Sequence, residues 1–90
     1  QHRFVVNQES VHIGPTEYRL LHFFMSHLNR TYSRNQLLDF VWGGSTDIED
    51  RTIDVHIRRL REVLEPYHLD NMIETDRGTG YRLVELHRKP

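Results

Sequence analysis

Asp50-Arg-Thr-Ile-Asp-Val-His-Ile-Arg-Arg-Leu-Arg-Glu-Val-Leu64 is the segment from which the architecture of this chain can be predicted. At 100° per residue, three apolar side chains fall within about 40° of Ile53 on a helical wheel, namely Ile57, Leu60 and Leu64. This narrow stripe predicts an amphipathic helix whose back faces a core. Four arginines project from the opposite face or its flanks, namely Arg51, Arg58, Arg59 and Arg61.

The exposed face of this helix has the chemistry of a DNA reader. Arg presents a planar fork that matches phosphate oxygens or the edge of guanine. Val55 lies among the arginines, and a lone small apolar side chain there suits a thymine methyl group. The helix alone also fits another interpretation, a solvated surface on which the arginines pair with acidic neighbours. Those neighbours are Asp50, Asp54 and Glu62.

Composition limits the classes of protein to which the chain can belong. Ninety residues fit one domain, and the formal net charge of -1 argues against a strongly basic nucleic-acid tail. Of the 12 basic residues, all but Lys89 are Arg, which favours directed contacts over a diffuse cationic cloud. The sequence has no cysteine and no apolar run near the roughly 18 residues of a membrane span. We therefore expect a soluble, cytoplasmic domain.

The N-terminal part predicts two strands and a helix. Residues 3–6 and 10–13 read as short strands joined by a turn. A two-stranded hairpin is marginal alone, so we expect further strands upstream and treat residues 1–90 as one domain of a longer protein. A helix capped by Thr16 is expected to run to about His27. Its core face would consist of Tyr18, Leu21, Phe24, Met25 and Leu28.

The remaining elements predict a second helix and a hairpin. After a brief extended piece at residues 31–32, Ser33 and Gln36 form a capping-box pattern. The short helix that follows would bury Leu37, Leu38 and Val41 and end near residue 42. Near the C-terminus, residues 72–75 and 81–86 read as strands of a hairpin with Arg77 at its tip.

The order of these elements predicts a winged helix-turn-helix. This α+β fold has a three-helix core, N-terminal strands and a C-terminal hairpin called the wing. Its third helix enters the major groove of DNA, and the wing reaches the backbone or the minor groove. Here both parts carry arginine, which favours DNA binding over the solvated-surface interpretation.

Five blocks of sequence resemble the C-terminal effector domain of OmpR/PhoB-type response regulators, most closely those of the phosphate-regulon type. They are GPTEYRLL (14–21), YSRNQLL (32–38), VWG (41–43), RTIDVHIRRLR (51–61) and TDRGTGYR (75–82). The resemblance runs from about residue 3 to residue 86. It implies a DNA-binding transcription regulator of a two-component system, preceded in the full protein by a receiver domain that becomes phosphorylated. It also implies head-to-tail binding to direct repeats.

The resemblance further implies roles for individual residues. Base contacts would come from Arg59, Val55 and the wing residue Arg77. Phosphate contacts would come from Trp42, Arg51, Thr52, His56, Arg58, Arg61, Thr75 and Tyr81. A loop would contact the sigma subunit of RNA polymerase, comprising Gly43, Gly44, Ser45, Thr46, Asp47, Ile48, Glu49 and Asp50. One departure from the family is Asp76, where relatives tend to have an apolar residue.

Three other interpretations can be compared with DNA binding. A winged helix can serve as a protein-interaction module that ignores DNA, and its affinity would change little with salt. A metal site has little support, because His22 and His27 are five apart and off the i, i+4 spacing of a helical zinc pair. An enzyme has little support either, since Asp47 and Glu49 lie in a polar loop without an apolar pocket to raise a pKa. We therefore predict no catalytic residue, no metal and no cofactor.

Overall fold

The computed structural model describes residues 2–6, 8–43 and 52–85. Two strands, β1 (His2–Val6) and β2 (Glu9–Ile13), precede the helices α1 (Pro15–Ser26), α2 (Arg34–Trp42) and α3 (Thr52–Leu64). Two single 3-10 turns lead to the wing, which consists of β3 (Ile73–Asp76) and β4 (Gly80–Leu83). Each strand pair is antiparallel. This is the predicted order of elements. None of the helices in the described ranges has the length and apolar character needed to span a bilayer.

Helix α3 is anchored along its back, as its periodicity predicts. The four stripe residues are at most 3% exposed, namely Ile53, Ile57, Leu60 and Leu64. They pack into one core with the buried side of α1 and with the predicted α2 residues Leu37, Leu38 and Val41. Because burial of apolar area is the main favourable term in folding, this stripe fixes which face of α3 remains outside.

Helix α1 differs from its prediction at its start and on its buried face. Gly14 is the N-cap and Pro15 the first helical residue, so Thr16 is not the cap. The helix begins earlier because proline suits its first position, where an N–H group has no helical partner. Met25 is 61% exposed, while the side facing the core contains Glu17, Leu20, Leu21 and Phe24. Because this buried face contains the carboxylate of Glu17, a search for apolar residues alone does not identify it.

The capping box of α2 is confirmed. The Ser33 hydroxyl accepts from the Gln36 amide at 3.1 Å, and the Gln36 side chain accepts from the Ser33 amide at 2.8 Å. At the other end, Gly43 takes the left-handed conformation with φ of 65° and donates its amide to Asp39. Glycine adopts this conformation without the strain of a Cβ atom, so α2 ends where the sequence predicts.

The wing is attached to the segment between α1 and α2. Tyr32 and Tyr81 exchange two backbone hydrogen bonds, of 2.9 and 3.0 Å. A Cβ atom on Gly80 would lie 1.9 Å from the Tyr32 carbonyl oxygen. Glycine is therefore required at this position because the backbone of β4 closely approaches that of Tyr32.

Candidate nucleic-acid interface

The outward face of α3 presents two exposed arginines. Arg58 and Arg59 are exposed, and Val55 beside them is half-buried. All three lie opposite or beside the buried stripe, so they project from a helix that cannot rotate without exposing its apolar side. Thr52, at the first position of α3, is half-buried.

Arg61 connects α3 to the wing. Its Nη2 donates to the Ile73 carbonyl at 2.8 Å and to the Thr75 hydroxyl at 2.9 Å. Its guanidinium carbon also lies 5.8 Å from the centre of the Tyr81 ring, within the range of a cation–π contact. Three residues that were each predicted to contact a phosphate thus lie together in the structure, namely Arg61, Thr75 and Tyr81.

Tyr81 makes a second connection between the wing and α3. Its hydroxyl donates to Asp54 Oδ1 at 2.5 Å. Burial of the phenol, followed by the hydrogen bond and the charge of Asp54, raises the pKa of Tyr81, while Arg34 and Arg61 oppose the rise more weakly. The hydroxyl therefore remains protonated and serves as a donor to the carboxylate.

Asp54 has a charged partner from α2 that helical periodicity does not predict. Arg34 Nε donates to Asp54 Oδ1 at 3.1 Å, and Nη2 lies 3.0 Å from Oδ2. The alternative interpretation of α3 paired Asp54 with arginines of its own helix. Helical spacing gives no signal for a partner 20 residues away on another element.

His56 contacts a side chain in the interior of the protein. Its Nδ1 pairs with the carboxylate of Glu17 on α1, and the side chains are 15% and 9% exposed. The predicted approach of His56 to a phosphate stays a prediction, but the residue also joins α3 to α1.

The tip of the wing presents Arg77 to solvent, as the hairpin predicts. The neighbouring Asp76, the departure from the family pattern, is half-buried and accepts a hydrogen bond from the Thr31 hydroxyl at 3.2 Å. Its carboxylate is therefore engaged with the segment before α2. This contact also fixes the base of the turn that carries Arg77.

Several predicted positions fall outside the described residues. These are Arg51 and the loop residues Gly44, Ser45, Thr46, Asp47, Ile48, Glu49 and Asp50. Gly43, the first residue of that predicted loop, ends α2, and Trp42 is the last helical residue before it. Within ranges 2–6, 8–43 and 52–85, no three His, Cys, Asp or Glu residues are grouped so as to hold a metal ion.

Known proteins share both the sequence pattern and the fold. A family model described as "Transcriptional regulatory protein, C terminal" matches residues 7–83. The chain is 59% identical to the phosphate regulon transcriptional regulatory protein PhoB of Escherichia coli K12 and 56% identical to PhoB of Pseudomonas aeruginosa, each over 81 residues. Each alignment covers 90% of this chain and 35% of the relative. The chain thus spans about a third of the length of these curated relatives.

Solved structures agree with this assignment. The DNA binding domain of the response regulator AdeR, in complex with an intercistronic region, matches with a TM-score of 0.83 and 27% identity over 94% of this chain and 87% of that one. The Klebsiella pneumoniae RstA DNA-binding domain, in complex with the RstA box, matches with a TM-score of 0.76 and 30% identity over 91% and 82%. The predicted winged-helix fold is confirmed. This chain belongs to the family of C-terminal DNA-binding domains of OmpR/PhoB-type response regulators, which regulate transcription and are not enzymes.

Proposed function

We propose that this chain reads promoter DNA by placing α3 in the major groove and the wing residue Arg77 in the adjacent minor groove. The observation that carries the proposal is the pair of exposed arginines, Arg58 and Arg59, on a helix whose opposite side is fully buried. A rigidly held helix can present guanidinium forks in one register along the groove. The exposed wing arginine supplies a second cationic contact point.

Within this proposal the residues divide into two groups. Arg59 and Val55 contact base edges, whereas Arg58 and Thr52 contact phosphates, together with the predicted phosphate contacts Trp42, Arg51 and His56. Arg61, Thr75 and Tyr81 contact one another, which supports an additional role in setting the angle between the wing and α3. Their own phosphate contacts remain part of the proposal.

The whole protein is proposed to act as a phosphate-regulon activator in the cytoplasm. Its relatives in Escherichia coli and Pseudomonas aeruginosa are named phosphate regulon transcriptional regulatory proteins. The proposal includes an upstream receiver domain, tandem binding to direct repeats, and contact of residues 43–50 with the sigma subunit. The acidic residues Asp47, Glu49 and Asp50 support the last point, because they suit a basic protein partner and not DNA.

Fluorescence anisotropy on two duplexes tests the proposal. One duplex carries a direct repeat of the phosphate-regulon type, and the other has the same composition in scrambled order. We expect tighter binding to the repeat and a steep loss of affinity on both between about 50 and 200 mM salt, because several phosphate contacts release counterions. Equal binding to both would contradict sequence reading, and salt-independent or absent binding would favour a protein-interaction module.

A further inference from the structure

Asp54 places a negative charge on the helix that is proposed to face DNA. Its carboxylate lies in the first turn of α3, next to Val55, and its side chain is 34% exposed. A carboxylate near DNA phosphates repels them and lowers affinity. Left uncompensated, Asp54 would oppose the binding that the arginines of α3 promote.

Two side chains from other elements bind this carboxylate. The guanidinium of Arg34 faces it as a fork, with Nε 3.1 Å from Oδ1 and Nη2 3.0 Å from Oδ2. The hydroxyl of Tyr81 donates to the same Oδ1. Asp54 therefore has a full charge partner from α2 and a neutral donor from the wing.

The position of Arg34 is not explained by the needs of its own helix. Arg34 is the first residue of α2, where the positive end of the helix dipole disfavours a cation. Its side chain is 48% exposed, and ion pairs at such exposure contribute little to stability. Neutralisation of Asp54 on the DNA-facing side accounts for a cation at this place.

We infer that Arg34 is a positioning residue for DNA binding, which cancels the charge of Asp54 and fixes its carboxylate against Tyr81. The inference rests on the proposed function. It places a determinant of affinity on α2, outside the residues that the sequence assigned to the interface. Arg34 acts here through Asp54 and not by contacting a phosphate itself.

A cycle of two substitutions in the 90-residue chain tests this inference on the scrambled duplex, where base reading does not contribute. Arg34→Met removes the cation, and Asp54→Asn removes the anion but keeps an acceptor for the Tyr81 hydroxyl. We expect Arg34→Met to weaken binding about threefold to tenfold and Asp54→Asn to strengthen it by a similar factor. The double variant should return to within about twofold of the unmodified chain.

The double variant separates this role from a direct one. If Arg34 contacted a phosphate, the double variant would bind more than twofold more weakly than the unmodified chain, and the magnitude of its logarithmic salt slope would fall by about one. That result would overturn the inference. Thermal unfolding followed by circular dichroism checks that each variant is folded. Should Arg34→Met fail to fold, unchanged or weaker binding by Asp54→Asn alone would also contradict the inference.

The wing supplies a matched control. Arg82 and Glu74 form an ion pair of the same chemistry at 2.8 Å, with side chains 42% and 44% exposed. Arg82→Met changes the net charge as Arg34→Met does, so an equal loss of affinity would assign the effect to overall charge and overturn the inference. An unmodified chain that bound neither duplex would instead overturn the proposed function, so the two failures are distinguishable.

Discussion

The hydroxyl of Tyr81 lies 2.5 Å from Asp54 Oδ1, and this hydrogen bond joins the wing to α3. The ring that carries the hydroxyl is buried, since Tyr81 is only 8% exposed. Arg61 joins the same two elements by donating hydrogen bonds to β3. Consequently the angle between the two parts that are proposed to enter neighbouring grooves is set before any DNA is bound.

Tyr81→Phe removes this hydrogen bond while leaving the ring in place. Asp54 keeps its pairing with Arg34, so no buried charge is left without a partner. We expect the free energy of unfolding to fall by about 1 kcal/mol, the usual contribution of one such bond. Urea denaturation followed by circular dichroism measures it. A variant at least as stable as the unmodified chain would contradict the role of this bond.

Alkaline pH is expected to weaken the same connection. The pKa of Tyr81 is raised in the folded chain, above the ordinary value of about 10, chiefly by burial and then by Asp54. A raised pKa means that the contribution to stability is fully present below the unfolded value and is lost as pH rises through the folded value. The stability difference between the unmodified chain and Tyr81→Phe should therefore be constant from about pH 7 to 9 and shrink above about pH 10. A difference that persisted at higher pH would contradict the shift.

Gly80→Ala is expected to destabilise the chain by at least about 2 kcal/mol, because the new methyl group would meet the Tyr32 carbonyl oxygen at 1.9 Å. Gly78→Ala is the matched control. Gly78 also has a positive φ, of 78°, but nothing lies within 4 Å of a Cβ atom there. Backbone strain alone should lower the free energy of unfolding of Gly78→Ala by about 1 kcal/mol. Equal losses in urea denaturation would mean that the close approach to Tyr32 is unimportant.

Arg59→Ala should lower affinity for the direct repeat by about 1 to 3 kcal/mol and have little effect on the scrambled duplex, since a bidentate base contact distinguishes sequences. Arg58→Ala serves as the comparison, because its proposed phosphate contact is lost on both duplexes alike. Anisotropy titrations on the two duplexes measure both variants. Equal losses for Arg59→Ala on repeat and scrambled DNA would refute base reading by this residue.

Glu17→Ala removes the carboxylate that pairs with His56 Nδ1. The Glu17 side chain is 9% exposed, and loss of a buried hydrogen bond to a charged group typically costs about 1.5 to 3 kcal/mol. Glu74→Ala breaks the exposed pair with Arg82 and should cost less than about 1 kcal/mol. Urea denaturation of the two variants compares them directly. Similar small losses would show that the pair with His56 does not stabilise the packing of α3 on α1.

Asp47→Ala tests the loop proposal, which is based on the acidic sequence of residues 43–50. DNA affinity should be unchanged, because the lost group would face a protein. Transcription from a dependent promoter, measured in the full-length regulator with its receiver domain, should fall. Unchanged promoter output would remove Asp47 from the proposed sigma contact.

Periodicity predicted those parts of the structure that depend on local spacing. The stripe that begins at Ile53 is fully buried, and Ser33 and Gln36 form their predicted capping box. Both features depend on residues three to four positions apart, which a helix always brings together. For the same reason the sequence placed Arg58 and Arg59 on the outside.

Contacts between elements could not be predicted in this way. Arg34 pairs with Asp54, which is 20 residues away in sequence, and Glu17 pairs with His56, which is 39 residues away. Helix and strand periodicities relate only residues a few positions apart, so they predict neither pair. Glu17 also misled the assignment of the buried face of α1, because a carboxylate is expected at the surface unless its partner is known. Polar pairs between different elements were therefore the features that sequence spacing missed.

The paired backbone bonds between Tyr32 and Tyr81 have a consequence for local opening of the native state. Asn29 also donates its amide to the Leu83 carbonyl at 2.8 Å, so β4 is tied at two places to the connection between α1 and α2. The amide protons of Tyr32 and Tyr81 can exchange with solvent only when that connection separates from the wing, and fraying of the hairpin tip does not release them. Opening of β4 is thus coupled to its release from the connection between α1 and α2.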